Sequence, residues 1–100
     1  METNIKGGTY LKKLGDNSAE MVLVNVWSDG EIQLSVIEPY LSMDDLAERY
    51  ERNGSLGQDA LADYNSFSYP FGSKEFEELY SYVENGEYVD EGTFVSRYLS

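Results

Sequence analysis

The clearest pattern in the chain is a pair of apolar segments on either side of a short polar turn. The segments cover residues 21–27 and 31–37, are rich in β-branched residues, and are separated by Ser28-Asp29-Gly30. Segments of this kind around a glycine-containing turn predict a β-hairpin. A three-residue loop would place Gly30 in the left-handed conformation that glycine adopts readily.

The register of this hairpin decides which side chains face the core. A two-residue Asp-Gly turn would pair Trp27 with Ile32 and place Asn25 beside Leu34. A three-residue loop pairs Val26 with Ile32, and a slip of one residue would move the apolar set to solvent. We predict the three-residue loop because it separates apolar from polar side chains. The core face then carries Val22, Val24, Val26, Ile32, Leu34 and Val36, and the other face carries Asn25, Gln33 and Ser35.

Weaker patterns predict the elements around the hairpin. A first strand over residues 9–14 would complete a three-stranded antiparallel meander, and Pro39 would end its third strand. Ser42 and Ser73 are typical helix N-caps, and Asp90 is a candidate cap for a last helix. The apolar positions expected on the inner sides of the three helices are Met43, Leu46, Ala47 and Tyr50, then Phe76, Leu79, Tyr80 and Val83, then Phe94, Val95, Tyr98 and Leu99.

A short helix near residues 59–64 and an aromatic loop over residues 66–72 are expected between the first two of these helices. The predicted class is therefore α+β. We expect one domain over residues 1–100, in which a three-stranded antiparallel β-meander is followed by about three short helices packed on one face.

The charge of the chain indicates the sign of its partner. Nineteen acidic residues against seven basic ones give a formal net charge of -12. This exceeds what solubility requires of a small domain, and it destabilises the compact state by self-repulsion. Seven acids and no base lie between Glu75 and Glu91. An acidic surface repels nucleic acid and anionic membranes and attracts basic proteins, although a solvated face or adaptation to high salt is the alternative interpretation.

Composition argues against catalysis. The chain has no histidine and no cysteine, so the usual general base and the usual nucleophile pairs are absent. The carboxylates Glu84, Glu87, Asp90 and Glu91 do not follow the spacing of an EF-hand. We expect no enzymatic activity, no cofactor and no metal. Since the chain has no long apolar stretch and no apolar signal region, the expected location is the cytoplasm, that of the host cell if a phage encodes it.

The acidic C-terminal part is the candidate surface for a protein partner. Duplex DNA carries about one negative charge per 1.7 Å of its axis. Carboxylates three or four positions apart on a helix lie about 5–6 Å from each other, so a row of them can occupy a basic groove built for phosphates. Tyrosines among them could stack on arginines as bases would, and core packing is an equally good interpretation of Tyr82 and Tyr88. The predicted partner-binding residues are Glu75, Glu78, Tyr82, Glu84, Glu87, Tyr88, Asp90 and Glu91.

In layout and composition, the chain resembles the small acidic phage-encoded inhibitors of nucleic-acid enzymes, in particular the anti-CRISPR proteins that block Cas9. The resemblance is carried by the meander with Trp27-Ser28-Asp29-Gly30, the helices after it, and the acid–aromatic alternation over residues 84–94. It implies a DNA mimic that binds a CRISPR effector nuclease where the PAM duplex would bind and does not itself bind nucleic acid.

Two other functions are compatible with the same features. An immunity protein that neutralises a basic nuclease toxin would also be small, acidic and cytoplasmic. A structural or regulatory domain with an acidic surface and no mimicry is the third possibility. The oligomeric state does not follow from the sequence.

Overall fold

The computed structural model describes residues 5–99, except for the side chains of Glu38 and Pro39. The α+β class predicted from the sequence is confirmed. The elements, in chain order, are β1 (Gly8–Lys13), β2 (Ser18–Val26), β3 (Ile32–Ser42), α1 (Met43–Asn53), α2 (Ala60–Asp63), β4 (Asn65–Ser68), α3 (Lys74–Glu84), β5 (Val89–Asp90) and α4 (Glu91–Tyr98).

The strands form one antiparallel sheet in the order β4-β3-β2-β1-β5. Its centre is the predicted meander, and one short strand extends the sheet at each edge. At one edge, β4 pairs Phe67 with Val36 of β3. The first part of the expected aromatic loop is therefore an edge strand. At the other edge, β5 pairs with Tyr10 and Leu11 of β1, which brings the acidic C-terminal part against the first strand.

The predicted register of the hairpin is confirmed. Val26 pairs with Ile32 and Val24 with Leu34. The Trp27 amide donates to the Glu31 carbonyl at 2.8 Å, and Gly30 has a φ of 89°, in the left-handed region. The alternation of apolar and polar side chains was thus sufficient to choose between the two possible loops.

Pro39 does not end the third strand, contrary to expectation. β3 continues to Ser42, and its register against β2 shifts where Ala19 pairs with Leu41 but Met21 pairs with Ile37. Pro39 lies between those two partners. A proline has no amide hydrogen to donate to the ladder, and an irregularity in pairing is a position that tolerates it.

Helices cover both faces of the sheet, whereas one covered face was expected. Helix α3 packs on the face that carries the six alternating residues of the hairpin. Helices α1, α2 and α4 pack on the opposite face, because β1, β2 and β3 also carry apolar residues there. The core of this second face contains Leu11, Ala19, Met21, Ile37, Leu41, Leu46, Leu56, Ala60 and Phe94.

The helix ends follow local signals. The hydroxyls of Ser42 and Ser73 accept amide hydrogen bonds at the starts of α1 and α3, and α1 ends at Gly54 in the left-handed conformation. Asp90 occupies the N-cap position of α4, but its side chain makes no capping hydrogen bond. Among the helices of residues 5–99, none is long and apolar enough to cross a membrane.

Helix α1 buries a charged residue that its apolar pattern did not predict. Leu46 is buried as expected, but Ala47 and Tyr50 are exposed, and Arg49 is only 3% exposed. The Arg49 guanidinium donates to the carbonyls of Leu56 and Gln58 and to the Asp63 carboxylate. Arg49 therefore links α1 to α2 and to the segment before it.

Candidate functional site

A groove of about 200 Å³ lies between α3 and the sheet, and we refer to it as the acidic groove. Three carboxylates and three tyrosines line it, above a floor that includes Val36 and Leu79. The polar and aromatic lining consists of Glu20, Glu75, Glu78, Tyr69, Tyr82 and Tyr88. A surface with this composition suits a cationic side chain, because carboxylates pair with the charge and aromatic faces attract it.

The sequence of α3 explains how the helix contributes to the groove. Phe76, Leu79 and Val83 are buried against the sheet, as the helical period predicts. Glu75, Glu78 and Tyr82 are exposed and follow one another at intervals of three and four residues, so they share a side of the helix. Glu75 also lies in the first turn, where the helix dipole favours a carboxylate.

Tyr88 is a core residue and not the exposed stacking platform that was one of its two interpretations. It is 6% exposed, and its hydroxyl donates a hydrogen bond of 3.0 Å to Oε1 of Glu20. Burial, together with the neighbouring Glu20 carboxylate, raises the pKa of Tyr88 well above its ordinary value. The phenol therefore stays protonated and keeps the Glu20 carboxylate in place. Tyr82, in contrast, is 43% exposed.

A basic side chain that lies far from the acidic run in sequence lies beside it in the fold. Lys12 Nζ is 3.8 Å from a carboxylate oxygen of Glu87. It is also 5.9 Å and 5.8 Å from the ring centroids of Tyr82 and Tyr88. The cause is the pairing of β1 with β5, which the sequence did not indicate. The charge of Glu87 is thus partly compensated within the fold.

Glu91 is a structural residue on the other side of the molecule. Its Oε1 accepts hydrogen bonds from the Ser55 hydroxyl and the Gly57 amide, each at 3.2 Å, and from the Leu56 amide. It connects the start of α4 to the segment after α1. A partner could use this oxygen only by displacing three donors, and Glu91 does not line the acidic groove.

The eight predicted residues are therefore not one surface. Glu75, Glu78, Tyr82 and the buried Tyr88 line the acidic groove. Glu84 is exposed at the end of α3, and Asp90 is exposed in β5, where it lines a different hollow with residues of β1. Glu87 pairs with Lys12, and Glu91 holds the loop at residues 55–57.

The prediction missed Glu20 and Tyr69. Glu20 continues the even-numbered positions of β2 that carry Val22 and Val24, so the hairpin alternation placed it on the face that α3 covers. A carboxylate at the end of an apolar stripe was the available signal. Tyr69 follows the edge strand β4, and its position depends on a pairing that local sequence did not show.

Within residues 5–99, no group of three or more acidic side chains is arranged to hold a metal ion. Comparison with known protein families, with curated proteins and with solved structures found no match.

Proposed function

We propose that this chain is a protein inhibitor that uses the acidic groove to occupy a basic nucleic-acid-binding surface of a CRISPR effector nuclease of the Cas9 type. The observation that supports it is the grouping of Glu20, Glu75 and Glu78 around one groove together with exposed Tyr82. The choice of this nuclease class rests on the resemblance to anti-CRISPR proteins. The encounter would take place in the cytoplasm of the host cell.

The chemistry of such a partner matches the groove. A surface built for phosphates presents arginine and lysine, and both pair with carboxylates. Tyr82 and Tyr69 offer aromatic faces on which a guanidinium can stack. The net charge of -12 also adds long-range attraction, which accelerates association with a basic protein and weakens as salt rises.

The test is an inhibition titration of DNA cleavage with the double variant Glu75→Gln, Glu78→Gln. The matched control is Glu77→Gln, Glu51→Gln, which removes the same charge. Glu77 lies in the first turn of α3 as Glu75 does, yet it does not line the groove. The inhibition constant of the groove variant should rise about tenfold, which corresponds to about 1.4 kcal/mol of binding free energy. That of the control should rise much less.

Two further measurements complete the experiment. Higher salt should weaken the wild type more than the groove variant, since screening acts over about 10 Å at 0.1 M salt. A DNA duplex that carries the recognition element of the nuclease should compete with the inhibitor. Equal potency of all three proteins would refute the proposal. Inhibition of a basic nuclease toxin, with no effect on the CRISPR nuclease, would favour the immunity-protein alternative.

A further inference from the structure

A second groove at the hairpin end of the sheet exposes large aromatic side chains. Trp27 is 50% exposed and Phe71 is 51% exposed. They line a hollow of about 280 Å³, which we call the aromatic groove. The residues that matter for its chemistry are Trp27, Glu31, Gln33, Ser68, Pro70 and Phe71. Exposed aromatics that share a concave surface are a common mark of an interaction site.

Two of the residues that line this groove, Phe71 and Gln33, are positioned by contacts with neighbouring side chains. The Phe71 ring packs on Phe76 of α3, with ring centroids 5.1 Å apart. The Gln33 amide nitrogen donates to the Ser68 hydroxyl at 3.2 Å, which leaves the amide oxygen as an acceptor. The Phe71 ring is therefore positioned by packing, and the Gln33 amide is positioned by a hydrogen bond.

The charge at the rim selects among possible occupants. Glu31 lines the groove, and Asp29 lines an adjoining hollow that shares Phe71 and Glu31. Carboxylates at this position would repel the phosphates of a nucleic acid. They would equally repel a second copy of this chain, which carries the same acids and a net charge of -12. The same carboxylates attract a cationic occupant.

We propose that the aromatic groove binds an arginine side chain of the protein partner. A guanidinium is planar, stacks on aromatic faces, and donates up to five hydrogen bonds in one plane. Trp27 and Phe71 supply the faces, Glu31 the counter-charge, and Gln33 a neutral acceptor. A lysine ammonium would lose the stacking. Tyr69 lines both grooves, so the two are adjacent. The inference depends on the proposed function only for the identity of the partner.

The experiment uses the intact chain and a capped pentapeptide, Gly-Gly-Arg-Gly-Gly. Trp27 is the single tryptophan, so tryptophan fluorescence reports on the surroundings of this one side chain, which lines the aromatic groove. The arginine peptide should give a saturable change. The same peptide with citrulline, which keeps the shape but not the charge, should give a much smaller change at equal concentration. A lysine peptide should bind more weakly than the arginine peptide.

Two variants locate the binding. Glu31→Gln should weaken the arginine peptide several-fold without unfolding the chain, because the hydrogen bonds of Glu31 in the hairpin come from its backbone. Glu51→Gln removes an equal charge from an exposed position of α1 that lines neither groove, and should leave the titration unchanged. This result is independent of nuclease inhibition, so the two proposals can fail separately.

Three results would overturn the inference. The first is identical titrations with the arginine and citrulline peptides. The second is equal peptide affinity of the wild type and Glu31→Gln. The third is a Trp27 signal that changes with protein concentration in the absence of peptide, because the occupant would then be a second copy of the chain.

Discussion

Replacement of Glu91 should destabilise the fold, although removal of an acid from so negative a chain relieves repulsion. One oxygen of Glu91 accepts three hydrogen bonds, two of them from the amides of Leu56 and Gly57. These amides cannot turn to water by a small movement of their segment. Gly57 lies so close to β1 that an added Cβ would be 2.1 Å from Oγ1 of Thr9, and Leu56 is fully buried.

The magnitude follows from these contacts. A buried donor left without a partner costs about 1–3 kcal/mol. Glu91→Ala leaves two amides in that state, and partial access to water reduces the sum, so we expect a loss of about 2–4 kcal/mol. Glu91→Gln retains an acceptor oxygen and should lose about 1 kcal/mol, since charged acceptors bind more strongly than neutral ones. For a domain of this size, each kcal/mol lowers Tm by about 4–8 °C.

The assay is urea unfolding followed by circular dichroism, with thermal melting as a second measurement. Asp90→Asn is the neighbouring control, because Asp90 is exposed and its side chain makes no capping hydrogen bond. Glu78→Gln is the control for charge, and relief of repulsion should leave its stability unchanged or higher. If Glu91→Ala unfolded at the same urea concentration as these controls, the structural role assigned to Glu91 would be wrong.

Three further perturbations test other parts of the fold. Arg49→Met should lower the free energy of unfolding by about 2–4 kcal/mol in a urea titration, because buried carbonyls lose their donor; an unchanged midpoint would contradict this. Because folding raises the pKa of Tyr88, its phenol ionises at a lower pH in the unfolded chain than in the folded one. Stability should therefore hold below about pH 10 and fall as pH rises above it, less steeply in Tyr88→Phe; equal slopes would exclude the effect. Val24→Asp puts a charge at a buried position and should abolish the native melting transition in circular dichroism; a native transition would show that the core is misassigned.

Local sequence was enough to predict those features whose determining residues all lie within one short segment. The hairpin register followed from alternation between Val22 and Val36, since only one pairing separated apolar from polar side chains. The caps at Ser42 and Ser73 followed from residue type and from the carboxylates after them. Such features depend on neighbours in the chain, so the rest of the fold did not need to be known.

The remaining features depend on contacts between distant segments. β5 has two residues, too few for any pattern, and it forms because β1 offers it an edge. Lys12 reaches Glu87 only through that pairing. Arg49 lies outside the apolar positions expected on the inner side of α1, and a charged residue is expected to face solvent unless its acceptors are known. Those acceptors are backbone carbonyls after the helix, which no residue type reveals.

Some acidic residues of this chain accept hydrogen bonds within the fold, and others project from its surface. This difference affects how a partner would be bound. Glu20 and Glu91 accept hydrogen bonds that hold the fold together. Glu75 and Glu78 project from α3, whose position is set by buried Phe76, Leu79 and Val83. Carboxylates on a helix that is already packed need little further ordering on association. Under the proposed function, neutralising Glu75 and Glu78 should therefore impair association with the nuclease, whereas neutralising Glu91 should impair the fold first.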